Sequence, residues 1–449
     1  MPARSDECWN TEMETMASGA LREIEQERLR RQLEYIWEAS PFYCRKWEAA
    51  GISPQHLSRL ENLAHLPFTE KGELQDAQDE PPPFGSNQCA PADRLIRMQA
   101  TGGTTGHPLR MALTRHDIDV YNELGARAAW AAGLRPGDIL FECMNYSLYA
   151  GGVNDHMTFE TLGACVAPVG IGQSKRLIGI LRQMRVPVAL YSTPSYALHL
   201  AEVARADGIT PADLGIGKGL LSGDAGLGIP AYRRQIETTW NMIAHDIYGL
   251  GELGPLAAEC RDADGLHWVG QQLLIAELVD AESGAVTSVA EGAVGELVFT
   301  TIDREAHPLI RFRSHDHVQI VGVGRHGCGR TGFRFRVLGR SDDMFIVKGI
   351  NVYPLGVQDV ILGLRPALTG EFQILLPHPP PITEPPIIRA EYGEEVSAQD
   401  REGLRDRLSR RIRDALMFTP RVEFVPAGTL PRTERKAKRL YRLYKGEQP

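Results

Sequence analysis

Leu21, Ile24, Leu29, Leu33 and Ile36 recur between charged residues at spacings that line one face of a helix, which predicts an amphipathic opening helix. The proline-rich PPPFG at 81–85 closes this entry region as a loop. From about residue 95 onward, apolar runs at 186–191 and 297–301 read as strands and alternate with helical patterns at 118–132 and 174–184. Such alternation predicts an α/β architecture.

Near residue 339 the pattern changes. GRSDDMFIVKGINVYP opens a C-terminal segment with short strand patterns at 372–376 and 387–392 and one charged helix at 398–417. The expected organisation is a large domain over 1–338 and a small α+β domain over 339–449, with a hinge at 339–343. No internal repeat is visible, and the proline-rich stretch 377–386 reads as a loop.

Length agrees with two units, since 449 residues exceed what one compact core organises. Hydrophobic residues at 43% and charged residues at 24% are ordinary for a soluble enzyme. A net charge of -8 argues against nucleic acid as a partner, because the basic footprint is confined to the last segment. No run approaches the ~18 apolar residues of a membrane span, and MPARSDECWNTEM lacks an apolar signal core, so a cytoplasmic protein with no membrane partner is expected. Cysteines at 8, 44, 89, 143, 165, 260 and 328 are odd in number and scattered, which favours a reducing compartment over a disulfide framework.

The chemistry begins at ATGGTTGHP. Gly102, Gly103 and Gly106 let backbone N–H groups approach a polyphosphate, and Thr101, Thr104 and Thr105 add hydroxyl donors; taken alone, the string also fits a Gly/Thr hairpin turn. In YGLGE at 248–252, the Tyr248 ring beside Gly249 can cover an adenine or an apolar substrate, and Glu252 can hold a magnesium ion. Asp316 in RFRSHDH, read as following a strand, suits two ribose hydroxyls or a turn; Arg340 in GRSDD suits ribose or phosphate, and Asp342 lies at the pivot. Lys436, in the basic loop GTLPRTERKAKRL, either brings a cation to an α-phosphate or belongs to a solvated helix.

Cys260, His267, His326 and Cys328 form a separate constellation. Two thiolates and two imidazoles are the donors that tetrahedral zinc takes, and a structural zinc is expected there, although the spacing matches no standard finger.

In this order and at these separations, the motifs resemble the phenylacetate-coenzyme A ligase family of the adenylate-forming (acyl-CoA synthetase) superfamily. The resemblance extends from SPFYCRKWEAAG through LPFTEKGEL, STPSYAL, DIYGLGE, ECRDADGLH, GELVFTT, PLIRFRSHD and LGRSDDMFIVKGINVYP to LPRTERKAKR. It implies a large N-terminal adenylate-forming domain of stacked mixed sheets with flanking helices, and a small mobile α+β C-terminal lid. It also implies a two-step reaction in which ATP converts a carboxylic acid to an acyl adenylate, and a thiol then takes the acyl group.

Carried over by position, Thr101 to Gly106 would hold the β- and γ-phosphates, with Thr104 catalytic beside Glu252 and Lys436. Asp246, Tyr248 and Gly249 would surround the nucleotide, Asp316 and Arg340 would take the ribose, and Asp342 would be the hinge. The acyl pocket would draw on Tyr146, Gly151, Tyr196, Ser222, Gly223, Asp224, Ala225 and Leu250. Its tyrosines suit an aromatic acid. Asn145, Asn154 and His156 would equally read a hydroxyl or amino substituent, or satisfy buried backbone. Coenzyme A is the implied acceptor, its phosphates met by Lys348, Arg365 or the basic tail; a carrier-protein phosphopantetheine arm would use the same route. A homodimer is implied as well.

The chain departs from the family pattern at His107, Gly251 and Arg435, where lysine, serine and glycine are usual. A catalytically weak adenylate-binding homologue and a kinase-like phosphotransferase are the readings from other classes.

Overall fold

The computed structural model describes residues 4–53, 60–101, 108–224, 227–347, 350–379, 382, 384–431 and 438–449. The opening helix runs Ser18–Ala39 and buries Leu29, Leu33 and Ile36 together with Gln32, so its apolar stripe packs as its spacing predicts. Ser40 caps the next helix, Pro41–Ala49, by accepting the Tyr43 N–H, and Tyr43 and Trp47 complete a small core with the opening helix.

Strands follow in chain order: β1 Arg97–Ala100, β2 Arg110–Leu113, β3 Ile139–Glu142, β4 Cys165–Pro168, β5 Val188–Ser192, β6 Ile216–Ser222 and β7 Ile243–Leu250. Then come β8 Gly254–Glu259, β9 Leu266–Trp268, β10 Leu274–Val279, β11 Val286–Thr287, β12 Val294–Thr301, β13 Phe312–Gly322 and β14 Arg334–Arg340. β1 and β2 form an antiparallel hairpin. The mixed sheets expected of the large domain join into one hydrogen-bonded order of twelve strands, β11-β10-β12-β13-β14-β9-β8-β7-β6-β5-β3-β4. β4, β3, β5, β6 and β7 are parallel, and the remainder antiparallel.

The parallel part is covered by helices Ser174–Met184, Pro194–Ala206 and Pro230–Trp240, whose apolar faces share one core with β3, β5 and β6. Helix Arg115–Ala131 lies in a second core with Phe159, Leu220 and Ile247; Thr114 and Asp117 close it with a reciprocal capping box. β5 is buried at every position, as a strand covered on both faces must be.

Beyond β14 come β15 Phe345–Val347, β16 Ile350–Val352, β17 Leu368–Leu376, β18 Ile387–Tyr392, β19 Arg421–Pro426 and β20 Leu440–Arg442. A four-stranded sheet, β19-β18-β17-β20, packs on helices Pro354–Leu362 and Asp400–Leu416 around its own core of Phe372, Ile374, Ile388, Leu408 and Ile412. Leu362 reaches across to the core of the large sheet, so the two bodies touch. No helix among the described residues is long and apolar enough to cross a membrane.

Candidate functional site

Three stretches far apart in sequence meet at the β1–β2 hairpin. Ala100 pairs with Arg110, and the Thr101 N–H donates to the Leu109 carbonyl at 3.0 Å, so Thr101 opens the glycine and threonine loop from the strand end. Gln99 Nε2 donates to the Gly251 carbonyl at 2.9 Å, and the Ala100 N–H donates to the Leu148 carbonyl at 2.7 Å. A Cβ on Gly251 would lie 3.4 Å from Thr101 Cγ2, ordinary contact. Gly102, Gly103, Thr104, Thr105, Gly106 and His107 lie outside the described residues, as do Ala225, Lys348, Arg435 and Lys436.

Glu252 follows β7 in the turn to β8 and is 5% exposed. Its carboxylate pairs with Lys71 Nζ at 2.9 Å, and its carbonyl accepts from Arg304 Nη1 at 2.7 Å. Neither cation was singled out from sequence. Lys71 stands within the motif LPFTEKGEL, at the first position of helix Lys71–Ala77, and only the fold carries it to Glu252.

Asp316 is not after a strand but inside one. β13 alternates buried and half-buried positions along its whole length, and Asp316 is a buried member. Its register partner on β14 is Arg340, which approaches Asp316 Oδ1 at 3.3 Å and grips Asp342 with two bonds of 2.9 Å. From β7, the Tyr248 hydroxyl donates to Asp316 Oδ2 at 2.7 Å, and its ring stands edge-on to Phe335 at 5.4 Å. Burial, with the adjacent Asp316 charge, holds the Tyr248 phenol well above its usual range and therefore neutral. Gly249 is required by close approach, since a Cβ there would fall 2.5 Å from the Gly254 carbonyl oxygen.

Asp246 lies further along β7, beside Leu221 of β6. Its N–H donates to Glu259, which takes two bonds of 2.7 Å from Arg233. Burial, reinforced by Glu259, raises the Asp246 carboxyl well above the carboxylate range. Ser222 ends β6, Gly223 follows at φ +90°, and Asp224 Oδ2 accepts from Ser195 Oγ at 2.7 Å. Leu250 ends β7 and pairs with Gly254.

Among the residues expected to line an acyl pocket, the half-buried Tyr146 donates to Glu142 Oε2 at 2.6 Å and lies 3.0 Å from His156 Nδ1. Burial pushes the Glu142 carboxyl up to about 9. Asp155 accepts from Tyr121 at 2.8 Å and from Tyr191, and burial raises it to about 6. A Cβ on Gly151 would lie 3.1 Å from the Tyr149 ring. Tyr196 differs: its ring is 1% exposed within the core of the large sheet, and its hydroxyl meets Ser174 at 3.0 Å. Asn154 is turned toward Gln99 and Arg97, and Arg365 donates to the Thr369 carbonyl.

Cys260 just after β8, His267 within β9, and His326 and Cys328 from the β13–β14 connection converge, with all ligand atoms within 4.8 Å of one another. His326 Nδ1 faces Cys328 Sγ at 3.2 Å and Cys260 Sγ at 4.0 Å, while its Nε2 lies 3.3 Å from Asp264, the outer carboxylate arrangement typical of metal-binding histidines. The Cys260 thiol, then His267, draw the Cys328 thiol below its usual range. Such a donor set fits zinc.

At the junction of the two bodies, Arg442 Nη2 donates to the Asp342 carbonyl at 2.6 Å, and the Tyr353 hydroxyl meets His317 Nδ1 at 2.7 Å.

A family model described as the AMP-binding enzyme C-terminal domain matches residues 349–442. Over 445 residues the chain is 35% identical to a protein of Thermus thermophilus named phenylacetate-coenzyme A ligase, covering 95% of this chain and 97% of that one. The crystal structure of 2-hydroxyisobutyryl-CoA ligase in the postadenylation state, in complex with 2-HIB-AMP, is similar at a TM-score of 0.91 and 30% identity, covering 99% of this chain and 95% of that one. The same ligase with 2-HIB-AMP and CoA in the thioesterification state gives 0.73 at 31% identity, covering 98% and 94%.

Proposed function

Because this chain belongs to the phenylacetate-coenzyme A ligase family of adenylate-forming enzymes, we propose that its AMP-forming acid–CoA ligase activity runs on the cleft between β7, β13 and the β1–β2 hairpin. The observation that carries this placement is the hydrogen-bonded Tyr248–Asp316–Arg340 set, with Asp316 buried at its centre and Tyr248 on the strand that leads to Glu252. Asp316 is a fixed acceptor for the ribose. Asp246, Tyr248 and Gly249 flank the base, and residues 101–106 with Thr104 cradle the β- and γ-phosphates.

In the first step a carboxylate oxygen attacks the α-phosphorus, the bond to the bridging oxygen breaks, and pyrophosphate leaves with the electron pair. Glu252, a hard oxygen donor, would hold magnesium, whose charge when bound offsets that of the phosphates. Lys436 meets the charge that develops on the α-phosphate. In the second step the thiol sulfur attacks the acyl carbon, AMP leaves, and the thiol proton passes to solvent. Residues 339–449 act as the lid over the 1–338 body, turning at Asp342. The separate core of the C-terminal sheet supports this, as do the two TM-scores, which lie nearer the postadenylation arrangement than the thioesterification one.

The acid is aromatic, an aryl or arylacetic acid, on the strength of the Thermus relative and of Tyr149 beside Gly151, with Tyr146, Ser222 to Ala225 and Leu250 assigned to the same pocket by family position. A short hydroxy acid is the second reading, favoured by the likeness to 2-hydroxyisobutyryl-CoA ligase. Pyrophosphate exchange with phenylacetate, benzoate and 2-hydroxyisobutyrate separates them: exchange only with the last would overturn the aromatic reading. Coenzyme A is the acceptor, and transfer to a carrier-protein arm in its place would show as acylated carrier.

The four-residue Cys/His cluster holds a structural zinc, supported by its donor set and the flanking Asp264. Free cysteines throughout support a reducing cytoplasmic setting. A homodimer is proposed on family membership.

A further inference from the structure

Between β12 and β13 the chain carries three consecutive charges, Asp303, Arg304 and Glu305. Asp303 pairs with Arg28 at 2.9 Å and His116 at 2.6 Å, and Glu305 pairs with Arg94 at 2.7 Å. Arg304 turns inward. Gln32 clamps its backbone from both sides at 2.8 Å, and Nη1 donates to the Glu252 carbonyl at 2.7 Å. Its Nε is buried without a hydrogen-bond partner, and among the described residues it forms no ion pair.

An arginine keeps its proton in a protein, and the half-buried Arg304 guanidinium feels the charges of Asp117 and Glu252 without a direct ion pair to either, which leaves donors for an incoming anion. Burial holds the Arg304 pKa below that of an exposed arginine. The neighbours say which anion arrives. Glu252, 5% exposed and paired with Lys71, stands next to it, and Gly251 abuts Thr101 at the mouth of the glycine loop. The reaction brings a triphosphate to such a place and leaves a pyrophosphate there.

We propose that Arg304 binds the pyrophosphate end of ATP, beside Glu252. This rests on the placement of ATP next to Glu252. The fork of N–H donors suits two phosphate oxygens, and the charge that collects on the leaving pyrophosphate falls where the guanidinium can stabilise it.

Steady-state kinetics on R304Q and R304K test it. R304Q should raise both KM for ATP and Ki for pyrophosphate by about tenfold or more, the loss of one charge-assisted contact, while KM for the acid stays within about twofold. R304K should recover part of both. A fall in kcat with the pyrophosphate Ki unchanged would overturn the inference, since it would mark Arg304 as a prop for the Glu252 carbonyl. If R304Q fails to fold, phenylglyoxal labelling of the wild-type enzyme, read by peptide mass spectrometry, decides the matter. Magnesium pyrophosphate should protect Arg304 and the acid alone should not; equal labelling with and without pyrophosphate overturns the inference. E252Q separates the two assignments: undiminished magnesium-dependent exchange in E252Q removes the placement of ATP itself, whereas loss there with an unchanged pyrophosphate Ki in R304Q removes only the role of Arg304.

Discussion

Replacing Tyr248 with phenylalanine deletes one oxygen atom from the proposed nucleotide cleft. The ring keeps its edge-on contact with Phe335 at 5.4 Å, so little packing is lost. What disappears is the 2.7 Å bond to Asp316 Oδ2, made to a carboxylate in a residue only 5% exposed. A hydrogen bond to a charged group contributes about 1.5–3 kcal/mol, and 1.4 kcal/mol is tenfold in affinity, so the effect is roughly 10- to 150-fold wherever Asp316 must be oriented to act. Arg340 remains at 3.3 Å and holds the other oxygen, which favours the lower end. With Asp316 assigned to the ribose, the deficit belongs to KM for ATP in pyrophosphate exchange, and KM for the acid should move less than about threefold because the lost hydroxyl bonds to Asp316. An unchanged KM for ATP, or an equal rise in both constants, would refute the assignment of Asp316 to the ribose.

Other outcomes follow from the same geometry. Glu142 has its folded pKa raised to about 9, so its contribution to stability is fully present below the ordinary glutamate value and is lost as pH rises toward 9. E142Q, neutral throughout, should therefore gain in melting temperature relative to wild type between pH 5 and 9, measured by thermal denaturation; a constant difference would contradict the raised pKa. Purified protein should contain stoichiometric zinc by metal analysis, and C328S should lose it together with thermal stability, whereas a metal-free protein of unchanged stability would remove the zinc assignment. G249A places a methyl group 2.5 Å from the Gly254 carbonyl oxygen and should destabilise by about 1–3 kcal/mol, the cost of overpacking, in chemical denaturation.

Elements with a strong period were legible in the chain itself. Helix Ser174–Met184 and strand Ile387–Tyr392 fall where the pattern puts them, and the opening helix buries three of the five residues that announced it. Motifs carried chemistry less completely, because register and burial are tertiary facts. Asp316 reads locally like a turn residue; only its pairing with Arg340 across two antiparallel strands reveals a fixed acceptor. Tyr196, in a string that invites an acyl-pocket reading, points instead into the core behind the sheet. Lys71 and Arg304 reach Glu252 across 181 and 52 positions of sequence, beyond any local signal. The Cys/His cluster was legible because its donor types are scarce, even though its spacing is unusual.

The claim on which the rest depends is that Lys436 serves adenylation alone and that the lid turns at Asp342 before the thiol step. Measuring the two half-reactions separately in Lys436→Ala tests it most directly. Adenylation should slow by roughly 10²-fold, the scale for losing one transition-state donor, while thioester formation from preformed acyl adenylate and CoA proceeds at close to the wild-type rate. Equal loss in both half-reactions would contradict it.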